Sequence, residues 1–250
     1  AYQAYYENQP LRLSSAPNGP DMRLYRRVQY GDLAEFNMLD TRQHRSDQAC
    51  GGSIEAPCDE VQDPTRTMTG EEQERWLLDG LDSSRARWNM IAQQTLMAEL
   101  DEEVGAGKAV NMDNWSGYAP ARQRILDFLA ARQPSNPVVL TGDIHATFVN
   151  DLKVNFDDTA STTVGTELAC TSISSHKPAD RNQAIEDALG ENPHVKFYNG
   201  RERGYVQVEL TPGQWQADLL FVDNIADPNS PVRSKARYVI EDGRPGAQPV

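Results

Sequence analysis

The chain has 250 residues, of which 38% are hydrophobic and 24% charged, a composition that supports a buried core and excludes a disordered tail. Its formal net charge of −13 argues against nucleic acid as a stable partner and against an anionic membrane surface, unless a local basic site or a bound cation intervenes. No run approaches the roughly 20 apolar residues of a membrane span.

The first residues, Ala1-Tyr2-Gln3-Ala4-Tyr5-Tyr6, show neither an initiator Met nor a charged stretch followed by an apolar one, so the expectation is a fragment or a processed chain. Pro10 disfavours helical geometry at Gln9, which makes the opening segment a helix end or an irregular start. Leu24–Tyr30 and Ala34–Leu39 each alternate around Gly31-Asp32, the pattern of strand, tight turn and strand. Asp40 to Arg66 is polar and rich in turn residues and is expected to be a long surface loop. Within it, Cys50 and Cys58 bracket a Gly- and Pro-containing segment that can close into a disulfide in an oxidising compartment, leaving Cys170 free, or can be two neighbouring thiols.

Thr69-Gly70-Glu71-Glu72 has capping-box spacing, so a helix is expected from about Gly70 with Trp76, Leu77 and Leu81 turned inward. Ser84 can cap a second helix carrying Trp88, Ile91 and Thr95 at helical spacing. A third fits Pro120 to about Arg132, with Pro at the tolerated first position. Asn136-Pro137-Val138-Val139-Leu140-Thr141 then reads as a strand buried on both faces, because its apolar residues do not alternate. Near the C-terminus, Tyr205–Leu210 and Trp215–Phe221 alternate on either side of Thr211-Pro212-Gly213-Gln214, a hairpin with one wet face. No repeat, low-complexity tract or flexible linker divides the chain, so residues 1 to 250 are expected in one domain.

Asp143 and His145 stand two apart beyond the buried strand, so an extended backbone would aim both side chains at one site. Carboxylate oxygen and imidazole nitrogen together suit a mixed metal centre that polarises a phosphoryl group and activates water. By spacing alone a second reading stays open, in which Asp143 caps a turn and His145 bonds the backbone. Asn111–Tyr118 gathers a carboxylate, amides and the aromatics Trp115 and Tyr118, which can wall a pocket mouth or simply anchor a loop. Asp40–Arg45 offers either phosphate recognition or a surface ion-pair network. No Walker loop or Gly-x-Gly-x-x-Gly is present, and Ser172 and Ser174 lie outside any Gly-x-Ser-x-Gly elbow, which removes nucleotide-cradling and serine-hydrolase readings.

In order along the chain, Ala4-Tyr5-Tyr6-Glu7, Tyr25-Arg26-Arg27, Tyr30-Gly31-Asp32-Leu33, Leu39-Asp40-Thr41-Arg42-Gln43, Gly70-Glu71-Glu72-Gln73, Ser84–Trp88, Asp113–Tyr118, Thr141–His145 and Glu167–Ser175 resemble the PhoD-like alkaline phosphatases. The resemblance implies an α/β (α+β) metallophosphatase fold, two packed sheets flanked by helices, of which residues 1–250 are the C-terminal portion, incomplete on its N-terminal side. It further implies Ca²⁺ and Fe³⁺ as metals, Asp143 and His145 as the last ligands of the cluster, and Trp115 and Tyr118 on the substrate pocket. The expected activity is hydrolysis of small phosphate esters by a metal-activated hydroxide in a secreted or periplasmic enzyme. The remaining ligands would lie upstream, so the chain alone would bind metal weakly, hydrolyse little and leave strand edges open. Two alternatives are a phospholipase D-like phosphodiesterase and a non-catalytic module whose Asp/His pair is vestigial.

Overall fold

In chain order the elements of the computed structural model, which describes residues 1–250, are α1 (Tyr2–Asn8), β1 (Arg26–Tyr30), β2 (Ala34–Met38), β3 (Ile54–Glu55), α2 (Glu71–Ser83), β4 (Trp88–Ala92), β5 (Val110–Asn111), α3 (Ala119–Arg132), β6 (Pro137–Thr141), β7 (Thr147–Lys153), β8 (Thr163–Ala169), α4 (Ala179–Ala188), β9 (Val195–Asn199), β10 (Arg203–Leu210), β11 (Gln214–Val222), β12 (Val232–Glu241) and β13 (Arg244–Pro249). Seven strands form one sheet in the order β1-β2-β4-β6-β8-β7-β9, and β10 to β13 form a second, four-stranded antiparallel meander. In the large sheet β2, β4, β6 and β8 run parallel, while β1, β7 and β9 are antiparallel to their neighbours.

The two sheets pack face to face. Trp88, Met90, Val138, Val149 and Leu168 from the large sheet meet Trp215, Ala217, Leu219, Phe221 and Ile240 from the small one. On the opposite face, Ile91, Val139 and Leu152 are covered by Leu77 and Leu81 of α2 and Ile125, Leu126 and Leu129 of α3. A strand sandwiched between a sheet and helices buries both faces, so its sequence has no reason to alternate. That explains β6, and it also explains the expected helix after Ser84 that does not form. Trp88–Ala92 is β4, a central parallel strand whose Trp88 and Met90 face the small sheet while Ile91 faces the helices. The helical spacing of Trp88 and Ile91 thus coincides with a strand whose apolar residues point both ways, and Thr95 lies beyond its end.

The hairpin around Gly31-Asp32, the third helix and the C-terminal hairpin form as expected, with Tyr30 opposite Ala34 and Leu210 opposite Trp215. The capping box at Thr69 does not. Gly70 is the N-cap, in a left-handed conformation with φ of 76°, which takes the Thr69 side chain out of cap position. The amides of Thr69 and Gly70 are satisfied instead by Thr67 Oγ1 at 3.2 and 2.8 Å. The polar stretch after Asp40 is an irregular excursion, tightened by β3, a short 3₁₀ turn and a Cys50–Cys58 disulfide with Cα atoms 5.9 Å apart. Cys170 is free and half-buried. No helix is long and apolar enough to cross a membrane.

Candidate functional site

Parallel strands gather ligands outside their carboxyl ends, and the chain's polar functional residues collect there. The segments leaving β2, β4, β6 and β8 supply Arg42, Gln93, Asp143 and the Thr171–Lys177 loop. A polar cleft of about 330 Å³ opens among them, lined by Asn111, Asp113, Asn114, Asp143, Ile144, His145, His176, Lys177 and Arg181. A larger, mainly apolar cavity of about 780 Å³, between α1 and the ends of β2, β4 and β6, adjoins it through Arg42. The chemistry-bearing groups line the polar cleft.

Asp143 and His145 both reach that cleft, but not by extended geometry. Asp143 has φ of 62° and His145 φ of 55°, both left-handed, while Ile144 N donates to Gly142 O at 2.7 Å across the tight turn. Left-handed backbone costs most side chains about 1 to 2 kcal/mol, somewhat less for Asp, so two such residues in one turn mark stored strain. Asp143 Oδ2 pairs with Arg42 Nη2 at 2.5 Å, and neither Asp143 Oδ1 nor either ring nitrogen of His145 has a protein hydrogen-bond partner. Those atoms are donor positions available to a cation. No third carboxylate or imidazole converges with them, since the one close trio of such groups is Cys50, Cys58 and Glu60, where the sulfurs are already joined. The pair fits a metal as part of a coordination shell rather than as a whole one.

Asp113 faces the same cleft and is held by a basic network that spacing alone left open. Arg42 Nη1 reaches Asp113 Oδ2 at 2.9 Å, Arg45 Nη1 reaches Oδ1 at 2.7 Å, and Gln48 donates to the same oxygen. Burial would raise the Asp113 pKa, but the hydrogen bonds and charges of Arg42 and Arg45 outweigh it and hold the carboxyl below its ordinary value. Across the cleft, burial pushes the Lys177 ammonium below its ordinary value and Arg181 and Arg203 add to the effect, against the opposing pull of Glu102 and Asp143.

Trp115 and Tyr118 do not wall the cleft. Both are fully buried in the core beneath it, with Trp115 Nε1 donating to Gln93 Oε1 at 3.1 Å and Tyr118 Oη to Ser46 O at 2.8 Å. The expectation that they contact substrate is corrected: they anchor the loop whose Asp113 faces the cleft. Behind the strand ends lies a residue that periodicity could not single out. Glu167, buried in β8, accepts hydrogen bonds from Met97 N, Ala98 N, Thr141 Oγ1 and Asn150 Nδ2 at 2.7, 2.9, 2.6 and 3.1 Å. Burial raises its pKa and these donors oppose the rise. Arg203, Lys177 and Arg181 also escaped the sequence, because no spacing marks residues brought together only by tertiary folding.

The profile of the family described as "PhoD-like phosphatase" matches residues 1–219. The chain is 44% identical to the alkaline phosphatase D of Bacillus subtilis (strain 168), over 100% of this chain and 43% of that protein. A solved structure of PhoD superposes with a TM-score of 0.91 at 44% identity, covering 100% of this chain and 48% of that one. The chain therefore spans less than half the length of the relatives it matches.

Proposed function

The chain belongs to the PhoD-like phosphatase family, and from that premise we propose that it supplies the closing part of a metal-dependent phosphohydrolase site, with Asp143 and His145 as metal ligands. The observation that carries this reading is the strained turn after β6, which turns a carboxylate oxygen and an imidazole with no protein partners into a polar cleft at the strand ends. When bound there, a cation supplies Lewis acidity toward a phosphoryl oxygen and toward water. Asp143 would hold it through carboxylate oxygen and His145 through a ring nitrogen, and Ca²⁺ with Fe³⁺ is the combination the family resemblance implies. Arg42 bridges Asp113 and Asp143 and offsets the repulsion between these two carboxylates of the cleft.

Residues 1–250 would be the C-terminal portion of one metallophosphatase domain, acting on a small phosphate ester. A secreted or periplasmic location fits the Cys50–Cys58 disulfide, because such bonds persist in oxidising compartments. The test is made in the complete enzyme. Asp143→Asn and His145→Ala should each lower bound metal, measured by elemental analysis, and p-nitrophenyl phosphate turnover by at least about tenfold, the scale of losing a first ligand or its support. Variants that keep both metal and turnover would show that the pair is no metal ligand.

A further inference from the structure

We propose that Lys177 binds a phosphoryl oxygen of the substrate or of the phosphate released from it, an inference that deepens the metallophosphatase reading and rests on it. In a chain of net charge −13, the cleft has Lys177 and Arg181 on its lining, and Arg42 reaches its Asp113 and Asp143 from the adjoining cavity. Two of the three are already engaged: Arg42 with Asp113 and Asp143, and Arg181 with Glu102. Lys177 has neither an ion pair nor a hydrogen bond from its ammonium, although it is half-buried in the cleft beside Asp143 and His145.

An ammonium drawn partly out of water without a partner is unfavourable, and an anion entering the cleft removes that penalty. The Lys177 position is also built rather than incidental. Arg203, 3% exposed, donates from Nη1 to His145 O at 3.0 Å, to Ser175 O at 2.8 Å and to Ser172 Oγ at 2.9 Å. Its Nη2 donates to Gly200 O at 2.5 Å. One buried guanidinium thus ties the backbone of His145 to the loop that carries Lys177, while Asn182 of α4 donates to Lys177 O at 3.4 Å. The proposed metal ligand and the free cation keep a fixed relation, which is what an ester needs if one oxygen meets a metal and another an ammonium.

The competing role is a counter-ion that steadies Asp143 and acts only through the metal. The two roles separate in the complete enzyme. Lys177→Met should raise KM for p-nitrophenyl phosphate and the inhibition constant of inorganic phosphate, each by about ten- to a hundredfold, the worth of one charge-assisted hydrogen bond. Metal stoichiometry should stay at the wild-type level, kcat should change far less than KM because the contact exists in ground and transition states alike, and Lys177→Arg should recover most of the loss. A shift in KM without one in the inhibition constant would assign the contact to the ester, and equal shifts would assign it to the phosphoryl group in substrate and product. Unchanged constants in Lys177→Met, or a loss of metal in step with activity, would overturn the inference while leaving the metallophosphatase reading intact. A wild-type enzyme with neither metal nor ester hydrolysis would overturn that reading, and this inference with it.

Discussion

Replacing Glu167 with Ala tests whether the strand ends beneath the cleft are held by one buried carboxylate. The side chain is fully buried in β8 and accepts four hydrogen bonds, two of them from the backbone amides of Met97 and Ala98 and one from the Thr141 hydroxyl. Alanine leaves both amides without acceptors, at about 1 to 3 kcal/mol each for a buried unsatisfied group. Thr141 and Asn150 can rotate toward other partners, and the desolvation cost of the carboxylate disappears with it, so the net expectation is about 3 to 5 kcal/mol of destabilisation. At about 2 to 4 °C per kcal/mol for a chain of this size, thermal unfolding followed by circular dichroism should drop by about 6 to 20 °C. Glu167→Gln keeps one carbonyl oxygen and should cost about 1 to 3 kcal/mol, because its amide faces one of the backbone donors.

The same substitution has a pH signature. Burial places the Glu167 pKa above its unfolded value near about 4.3, so over that interval the native state binds the proton that the unfolded state has lost. Stability from this group is therefore greatest at or below the unfolded value and declines as pH rises through the folded one, and the gap between wild type and Glu167→Gln should narrow over that rise. A melting temperature for Glu167→Ala within about 2 °C of wild type, less than about 1 kcal/mol, would refute the reasoning, since four buried donors would then have found partners without it.

The Cys50–Cys58 bond closes a loop with a sequence separation of 8, worth about 2.5 kcal/mol in the chain-entropy account, so Cys50→Ser/Cys58→Ser should unfold at correspondingly lower urea. Thiol titration of the denatured chain should count one thiol, Cys170, before reduction and all three cysteines after it. Asp113 has a folded pKa below the unfolded value of about 3.9, so its contribution is present above that pH and lost as pH falls through the folded value; Asp113→Asn should flatten the loss of stability below about pH 4 in acid titrations, and an unchanged limb would count against the Arg42 and Arg45 network. His145→Gly removes a side chain with no hydrogen-bond partner from a left-handed position, so stability should stay within about 1 kcal/mol of wild type while metal retention falls, and a larger loss of stability would mean that His145 has a structural role.

Legibility in the sequence followed how each residue is surrounded. The C-terminal hairpin was readable because one face of the small sheet is wet: Trp215, Ala217, Leu219 and Phe221 are buried while their neighbours in β11 are not. The run in β6 was readable because every residue before its last is apolar. In β4 the same double burial was hidden by Asn89, whose side chain donates to Ser135 O at 2.7 Å, and by a spacing of Trp88 and Ile91 that mimics a helix. In β7 and β8 the polar Asn150, Asp151, Thr166 and Glu167 sit among apolar residues at buried positions. A polar residue bonded inside the core carries no hydrophobic period, so these strands left no pattern to read.

For the site, residue type was legible and geometry was not. Gly142-Asp143-Ile144-His145 could be suspected of metal chemistry because carboxylate and imidazole are ligand types, yet the extended backbone that would align them does not occur. They share a cleft because the chain turns left-handed twice, at Asp143 and again at His145. Glycine would adopt both positions at lower conformational cost, and neither side chain recovers the difference through the core: Asp143 makes one exposed ion pair and the His145 ring makes no hydrogen bond. What offsets the strain is then not stability of the fold but what the two side chains present to the cleft. Arg203 supports the same conclusion from the other side, since a buried guanidinium anchored to the carbonyls of His145, Ser175 and Gly200 fixes the one turn that local preference would relax.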